Sequence, residues 1–520
     1  MAQYLMAIDA GTGSVRAVVF DLDGRQVSVE QREWTHLEDP RFPGSMDFDV
    51  EHNFRLVVEC ISGAIKRANI AGGEIIALST TSMREGIVLY DRDGKEIWAC
   101  ANVDARAGNE VSQLMAISPR IERDIYSVSG QTFALGALPR ILWVKNNLPE
   151  VYEKTTAVTM LNDWLIYRIS GILALEPSNG STTGMFDLNA RTWDPKIANR
   201  CGLKDDIYPR VYESATPVGT VSKAFADLTG ISDQCLVVTG GGDAQLGCIG
   251  VGAVNPGQAC LFGGSFWQLE YNVQKPVTDK DCRVRVNCHA VPGLWQYELI
   301  AFFPGLVLRW FRDAFCQAET QLAQQTGLDA YYLLEREARD VPAGSNGMMC
   351  TFSDAMNYIS WKHAAPGFLN FSLDAGKFNR GVFYHALQEN AALVTLGHKQ
   401  IVESITGHTI DRILFASGAS KSPLWCSIVA DTLGIPVTVP RVKEATALGT
   451  AILAGVGAGV YDNLNETAAR LCVHEKTYEP SKENHEIYLE LFERWKTVYR
   501  NQLALADQGL TNHMWKAPGI

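Results

Sequence analysis

What the sequence lacks narrows its function first. None of its twelve cysteines forms a C-x-x-C pair, and Cys282 and Cys288 are the closest two. Without such spacing neither a zinc ribbon nor a disulfide framework is expected, and the thiols read as reduced. No stretch is long and apolar enough to cross a bilayer; AILAGVGAGV (451–460) is too short and too rich in glycine. The opening residues MAQYLMAIDA show no charged n-region, apolar h-region or cleavage site, so no export signal and a cytoplasmic location are expected. Basic charge is in deficit: 46 Lys and Arg against 58 Asp and Glu leave a net charge of −12. Phosphate backbones need a basic face, so nucleic acid is not expected as a partner.

What is present suits a large globular protein. The 520 residues exceed one hydrophobic core, and 47% apolar with 20% charged residues is an ordinary balance. The pattern predicts an α/β fold in two domains, 1–254 and 255–480, then a helix and tail over 481–520. At the start, YLMAIDA, VRAVVFD and RQVSVEQ read as strands around the GTGS and DLDG turns. A helix from Val50 to Ile70, a strand at 75–83 and the hairpin GIVLYD-RDGK-EIWAC follow. Residues 107–170 read as mainly helical, including 138–154, and EPSNGSTTGMFD (176–187) as a loop beside a cleft. The second half opens in the same way, with QACLF, a GGS turn and FWQLEYNV (258–273). Then come a helix at 302–317, a less regular stretch at 318–360, a long helix at 380–406, a strand at 412–420 that ends in a small-residue turn, a helix at 423–435, the strand PVTVP and a helix at 444–460. The last helix carries Tyr488, Leu491, Trp495 and Tyr499 on one face, which is expected to pack on its own domain.

Five motifs carry chemistry. Asp9-Ala10-Gly11-Thr12-Gly13-Ser14-Val15-Arg16 brings a carboxylate to a strand end and then a glycine turn. Backbone N–H groups of such a turn suit phosphate oxygens, and Asp9 suits Mg²⁺, which takes one or two carboxylates and keeps its waters. Alone, the motif is as readily an ordinary hairpin turn. Phe262-Gly263-Gly264-Ser265-Phe266 places a similar tip at the same point of the second half. Two facing tips would hold a phosphate chain from both sides. Gly240-Gly241-Gly242-Asp243-Ala244-Gln245 ends a strand with a carboxylate where general bases belong in α/β folds. Asp243 there would accept the proton of an attacking hydroxyl; the plainer reading is a helix N-cap. Ser417-Gly418-Ala419-Ser420-Lys421-Ser422-Pro423 would let adenine or ribose lie on the backbone, with the helix opened by Glu444-Ala445-Thr446 packed behind it. Finally, Arg84-Glu85 and Asp104-Ala105-Arg106 offer donors and acceptors to several hydroxyls at once, or equally a surface salt-bridge network.

Together these motifs resemble the FGGY carbohydrate kinases, within the sugar kinase, heat-shock-protein and actin superfamily, over almost the full chain. The most specific part is SGASKSPLW (417–425) continuing to EATALGTAILAGVGAGVY (444–461). The resemblance implies a two-lobed actin-like (ribonuclease H-like) ATPase fold with ATP in the interlobe cleft, and ATP and Mg²⁺ as cofactors. It implies Asp243 as the base, with Asp9 and Asp243 near the metal. Thr12, Gly13, Ser14 and Arg16 would meet the phosphates, with Gly264 and Ser265 opposite. Gly305 and Arg309 would lie near ATP, and Gly418 and Ser422 at the adenosine. Arg84, Glu85, Asp104 and Arg106 would line the substrate pocket with Asp243. There are departures. Gly264 stands where the second tip usually has Thr, and Ser417 replaces a usual glycine. QTFALGALP (131–139) lacks the Tyr that glycerol kinases place over their substrate, so glycerol fits poorly. Within the family the whole sequence is most similar to bacterial members that phosphorylate the quorum-sensing signal (S)-4,5-dihydroxypentane-2,3-dione at its terminal hydroxyl. That likeness implies a small polyhydroxylated substrate and the phosphocarrier protein HPr as a regulatory partner. A kinase of another small sugar, such as a ketopentose, is the alternative. A non-sugar actin-like ATPase is a second, though an ATP switch has no need of the Arg84-Glu85 and Asp104-Arg106 set.

Overall fold

Two sheets of similar plan organise the computed structural model, which describes residues 2–354, 358, 360–442 and 444–520. The first runs Pro217–Thr220, Leu236–Gly242, Ile75–Ser82, Tyr4–Ala10, Ser14–Asp21, Gln26–Glu33. The second runs Arg285–Cys288, Trp295–Ala301, Trp267–Val273, Ala259–Gly263, Ile413–Ala416, Val437–Pro440, His474–Tyr478. In each, a hairpin bent at a glycine turn lays its first strand parallel to a later strand: Tyr4–Ala10 beside Ile75–Ser82, and Ala259–Gly263 beside Ile413–Ala416. Parallel pairing needs a crossover, and helices supply it. Val50–Ala68 is the first, started by Asp49, whose carboxylate accepts the His52 N–H at 2.9 Å.

Local structure departs from the sequence reading in four places. The 138–154 segment is two helices, Ala137–Asn147 and Pro149–Lys154, because Pro149 has no N–H to continue the first. Ala157–Met160, inside the region read as helical, is a strand paired with Ile87–Tyr90. Residues 176–187 are no open loop: Pro177–Gly180 and Ser181–Thr183 are buried helical turns. The hydroxyls of Ser181, Thr182 and Thr183 donate to the carbonyls of Ser178, Asn179 and Gly180 at 2.7–3.1 Å, which lets so polar a segment leave water. The stretch 318–360, part of which lies outside the described residues, holds helices Gln317–Thr326 and Ala330–Ala338. Gln317–Thr326 buries no residue, so it lacks the apolar stripe that marks a helix in sequence.

The C-terminal helix, Lys482–Asp507, buries Tyr488, Leu491, Trp495 and Tyr499 in the core of the second sheet, as its stripe predicts. The helix Ala445–Gly457 does not sit behind the 417–423 turn. Its Ala447, Leu448, Ala451 and Ile452 share a core with Leu5, Ala7, Val18 and Val238 of the first sheet. Small residues permit this: a Cβ on Gly449 would lie 2.0 Å from the Leu246 carbonyl oxygen, so the helix seats directly on Asp243–Gly250. Among the described residues no helix is long and apolar enough to cross a membrane, and all twelve cysteines are buried and free.

Candidate active site

Three neighbouring parallel strands of the first sheet end at one edge. Asp9 on Tyr4–Ala10 and Gly241 on Leu236–Gly242 both register with Thr81 of the strand between them, which runs on to Arg84. The carboxyl ends of such strands are where open α/β sheets place ligands. Arg84 Nε lies 3.4 Å from Asp243 Oδ1, and Arg16 Nε lies 2.9 Å from Asp9 Oδ2. Arg16 also pairs with Glu444 at the start of Ala445–Gly457. Asp243 is not a helix cap, because Gly242 holds that position and Asp243 begins the helix. Its side chain is 41% exposed, the accessibility a base needs. Surrounding protein nonetheless raises its pKa to about 6; Arg84 partly opposes this and the negative Asp9 adds to it. Burial likewise lifts Asp9, against the pull of Arg16.

These carboxylates offer only hard oxygen donors. Among the described residues no group of three or more His, Cys, Asp or Glu side chains could cage a metal. Two carboxylates at the ends of the strands that flank Ile75–Ser82, one of them open, fit a Mg²⁺ that brings its own waters and phosphate ligands.

The Arg84-Glu85 and Asp104-Arg106 motifs come together through Arg140, a buried residue of Ala137–Asn147. Its guanidinium donates to the carbonyls of Glu85, Asn102 and Asp104 at 2.5, 2.6 and 2.9 Å. This residue was missed in the sequence, where a lone Arg in LPRILWVK reads as the polar side of a helix. Asp104 accepts from the Met46 N–H and from Arg106 Nε, both at 2.7 Å, so its carboxylate is spent on shaping the wall. Arg106 pairs with Asp47 and lies over the rings of Trp143 and Trp98 at 4.8 and 5.4 Å. The set is therefore a buried network and not the surface one. Glu85 is 12% exposed and sits at φ 62°, a left-handed conformation unusual for a side-chain-bearing residue. Burial works to raise its pKa, but Arg285 and Arg84 outweigh that and hold it below the usual range.

In the second half one cavity of about 420 Å³ is lined by Gly264, Ser265, Gly305, Arg309, Gly418 and Ser422. Its walls also include Tyr331, Tyr332 and Glu335 from Ala330–Ala338, together with Lys421. Those tyrosines lay in the stretch read as irregular. The available signal was Asp329, an N-cap that accepts the Tyr331 N–H at 2.8 Å. Thr12, Gly13, Ser14 and Arg16 stand on the other tip, outside this cavity. The carbonyls of that tip are tied from behind: Trp34 Nε1 donates to Gly11 and Thr12 at 3.1 and 3.2 Å, and His36 Nε2 is 2.7 Å from the Thr12 oxygen.

The likenesses to known proteins agree with this geometry. Residues 4–250 match the N-terminal domain, and residues 271–458 the C-terminal domain, of the FGGY family of carbohydrate kinases. An autoinducer-2 kinase of Enterobacter sp. (strain 638) is 49% identical over 518 residues, covering 99% of this chain and 98% of that protein. An autoinducer-2 kinase of Klebsiella pneumoniae is also 49% identical, over 99% of this chain and 97% of that one. Among solved structures, a xylulose kinase from Rhodospirillum rubrum superposes with a TM-score of 0.84 at 22% identity, over 97% of this chain and 99% of that one. A Plasmodium falciparum glycerol kinase with ADP gives 0.81 at 18% identity, over 96% and 98%. The two-lobed actin-like fold is thus shared from end to end, and the chain belongs to the FGGY family of carbohydrate kinases.

Proposed function

We propose that this kinase phosphorylates autoinducer-2, in its open-chain form (S)-4,5-dihydroxypentane-2,3-dione, at the terminal hydroxyl. The observation that carries the substrate is the 49% identity to autoinducer-2 kinases along 99% of the chain. The site supports the chemistry. The acceptor lies at Arg84 and Glu85, within a wall shaped by Asp104 and Arg106. ATP lies across the cleft, with adenosine at Gly418 and Ser422 and its phosphates between Thr12-Gly13-Ser14-Arg16 and Gly264-Ser265, near Gly305 and Arg309. Residues 1–254 then serve the acceptor, 255–480 the nucleotide, and 481–520 form an appended helix and tail.

In the transfer, the acceptor hydroxyl oxygen attacks Pγ as the bond from Pγ to the β,γ-bridging oxygen breaks. ADP leaves and the hydroxyl proton passes to Asp243. A carboxyl with pKa near 6 is ionised at neutral pH yet basic enough to share that proton. Asp9 and Asp243 would hold Mg²⁺, which supplies charge neutralisation at the phosphoryl oxygens when bound. Closure of the lobes would keep water from competing with the hydroxyl. The reading extends to a cytoplasmic location and to regulation through HPr; a pull-down with purified HPr tests the latter.

A coupled ADP-release assay with Mg·ATP compares the dione with glycerol, xylulose and ribulose. Turnover with the dione above the others is the expected result; turnover with a pentulose instead overturns the substrate. Asp243→Asn should lower kcat roughly 10²- to 10⁴-fold. Near-normal turnover would remove Asp243 as the base.

A further inference from the structure

The second sheet has an unusual face. Its strands Trp267–Val273, Trp295–Ala301 and Arg285–Cys288 alternate, with Leu269, Tyr271, Tyr297, Leu299 and Val286 entering the apolar core. The opposite face carries Glu270, Asn272, Gln296, Glu298, Arg285 and Asn287. In an antiparallel sheet such a polar face ordinarily meets water. Here all six of these residues are buried. The face lies against the first domain: Gln296 Nε2 donates to Cys248 of the helix that begins at Asp243, at 3.1 Å.

Two of these residues hold the acceptor motif. Glu298 pairs through Oε2 with Arg84, and its Oε1 accepts from Arg285 Nη1 at 3.0 Å. Arg285 Nη2 donates to Glu85 Oε1 at 2.6 Å, and its Nε to Gln131 Oε1 at 2.7 Å. Arg84 and Glu85 are therefore each held by a residue of opposite charge from the other domain. Glu270 lies directly across from Glu298, and its two oxygens find no hydrogen-bond partner. Two ionised carboxylates there would repel; burial keeps Glu270 neutral and leaves Glu298 to serve both arginines.

We propose that Glu298 and Arg285 are positioning residues for the acceptor: the second domain sets the orientation of Arg84 and Glu85 and so completes a pocket that the first domain alone leaves unset. They act through those two side chains and leave nucleotide binding untouched, since neither lines the nucleotide cavity. This rests on the reading of Arg84 and Glu85 as acceptor contacts.

The test is steady-state kinetics of the full-length enzyme, with KM measured separately for dihydroxypentanedione and for ATP. Glu298→Gln should raise the acceptor KM by about 10- to 100-fold, the effect of removing the charge that pairs with Arg84 and Arg285, with the ATP KM unchanged. Glu298→Asp, which keeps the charge, should recover part of the loss. Should Glu298→Gln show no cooperative melt, Gln131→Leu is read in the same way, with a smaller rise. Acceptor KM within about twofold of the parent in a folded variant overturns the proposal, as does a parallel rise in both KM values. If the parent enzyme ignores the dione and takes xylulose, the substrate reading fails alone, and the same split is measured with xylulose.

Discussion

Asp243 and Glu270 are both carboxyls near Arg84, the first open and the second buried, yet only one was legible in the sequence. Asp243 follows a strand that ends in three glycines, a run that stands out in the sequence and that close packing requires: a Cβ on Gly240 would lie 1.6 Å from the Thr80 carbonyl oxygen. Glu270 sits in WQLEYNV, where alternation makes it look like a solvent-facing residue. Its burial is a tertiary fact with a consequence for pH dependence. Burial raises its pKa from 4.5 to about 8, so the native state holds a proton that the unfolded chain releases above 4.5. Its contribution to stability is fully present below pH 4.5, declines as pH rises, and is gone above about 8. Glu270→Gln mimics the neutral form and should remove that decline. The difference in Tm between variant and parent should grow from pH 5 to pH 8; a constant difference would mean that Glu270 ionises freely in the fold.

Among the elements, the helix Pro304–Phe315 shows how a single residue sets an approach. A Cβ on Gly305 would lie 2.0 Å from the Gly264 carbonyl oxygen and 3.3 Å from Ser265 Cα. The clash is with backbone, so no rotamer relieves it. Gly305→Ala should push the helix from the second glycine tip, at an overpacking cost of about 1–3 kcal/mol. The KM for ATP should rise while the acceptor KM holds, and an unchanged KM for ATP would show that the tip does not depend on the helix. The nearby Ser417 occupies φ 75°, ψ −165°, a region suited to glycine, which matches its place as a departure from the family pattern. Strand and turn chemistry made these elements readable. Gln317–Thr326 escaped because a helix with no buried face leaves no period to detect.

At the scale of the molecule, the two domains are locked by a helix that belongs to one in sequence and to the other in packing. Ala445–Gly457 follows the Ser417–Pro423 turn of the second half, yet seats on the first sheet and on the helix that begins at Asp243. Gly449 permits that seat, since a Cβ there would press on the Leu246 carbonyl at 2.0 Å. Gly449→Ala should cost about 1–3 kcal/mol. It should also lower kcat, because displacing Leu246 moves the helix that presents Asp243. A fall in Tm with kcat intact would uncouple this interface from Asp243.

The sequence by itself determined the repeated hairpin plan, the order of most elements, the carboxylate of Asp243 at a strand end and the small-residue turns, because each is written in local spacing that only a few conformations satisfy. Tertiary structure decided which polar residues lie in water and which face another domain. Glu298 gains Arg84, Arg285 gains Glu85 and Arg140 gains the Glu85 carbonyl, each from a segment far along the chain. Local pattern cannot report such partners, since the same alternation that turns a residue outward from one core turns it inward against the next domain.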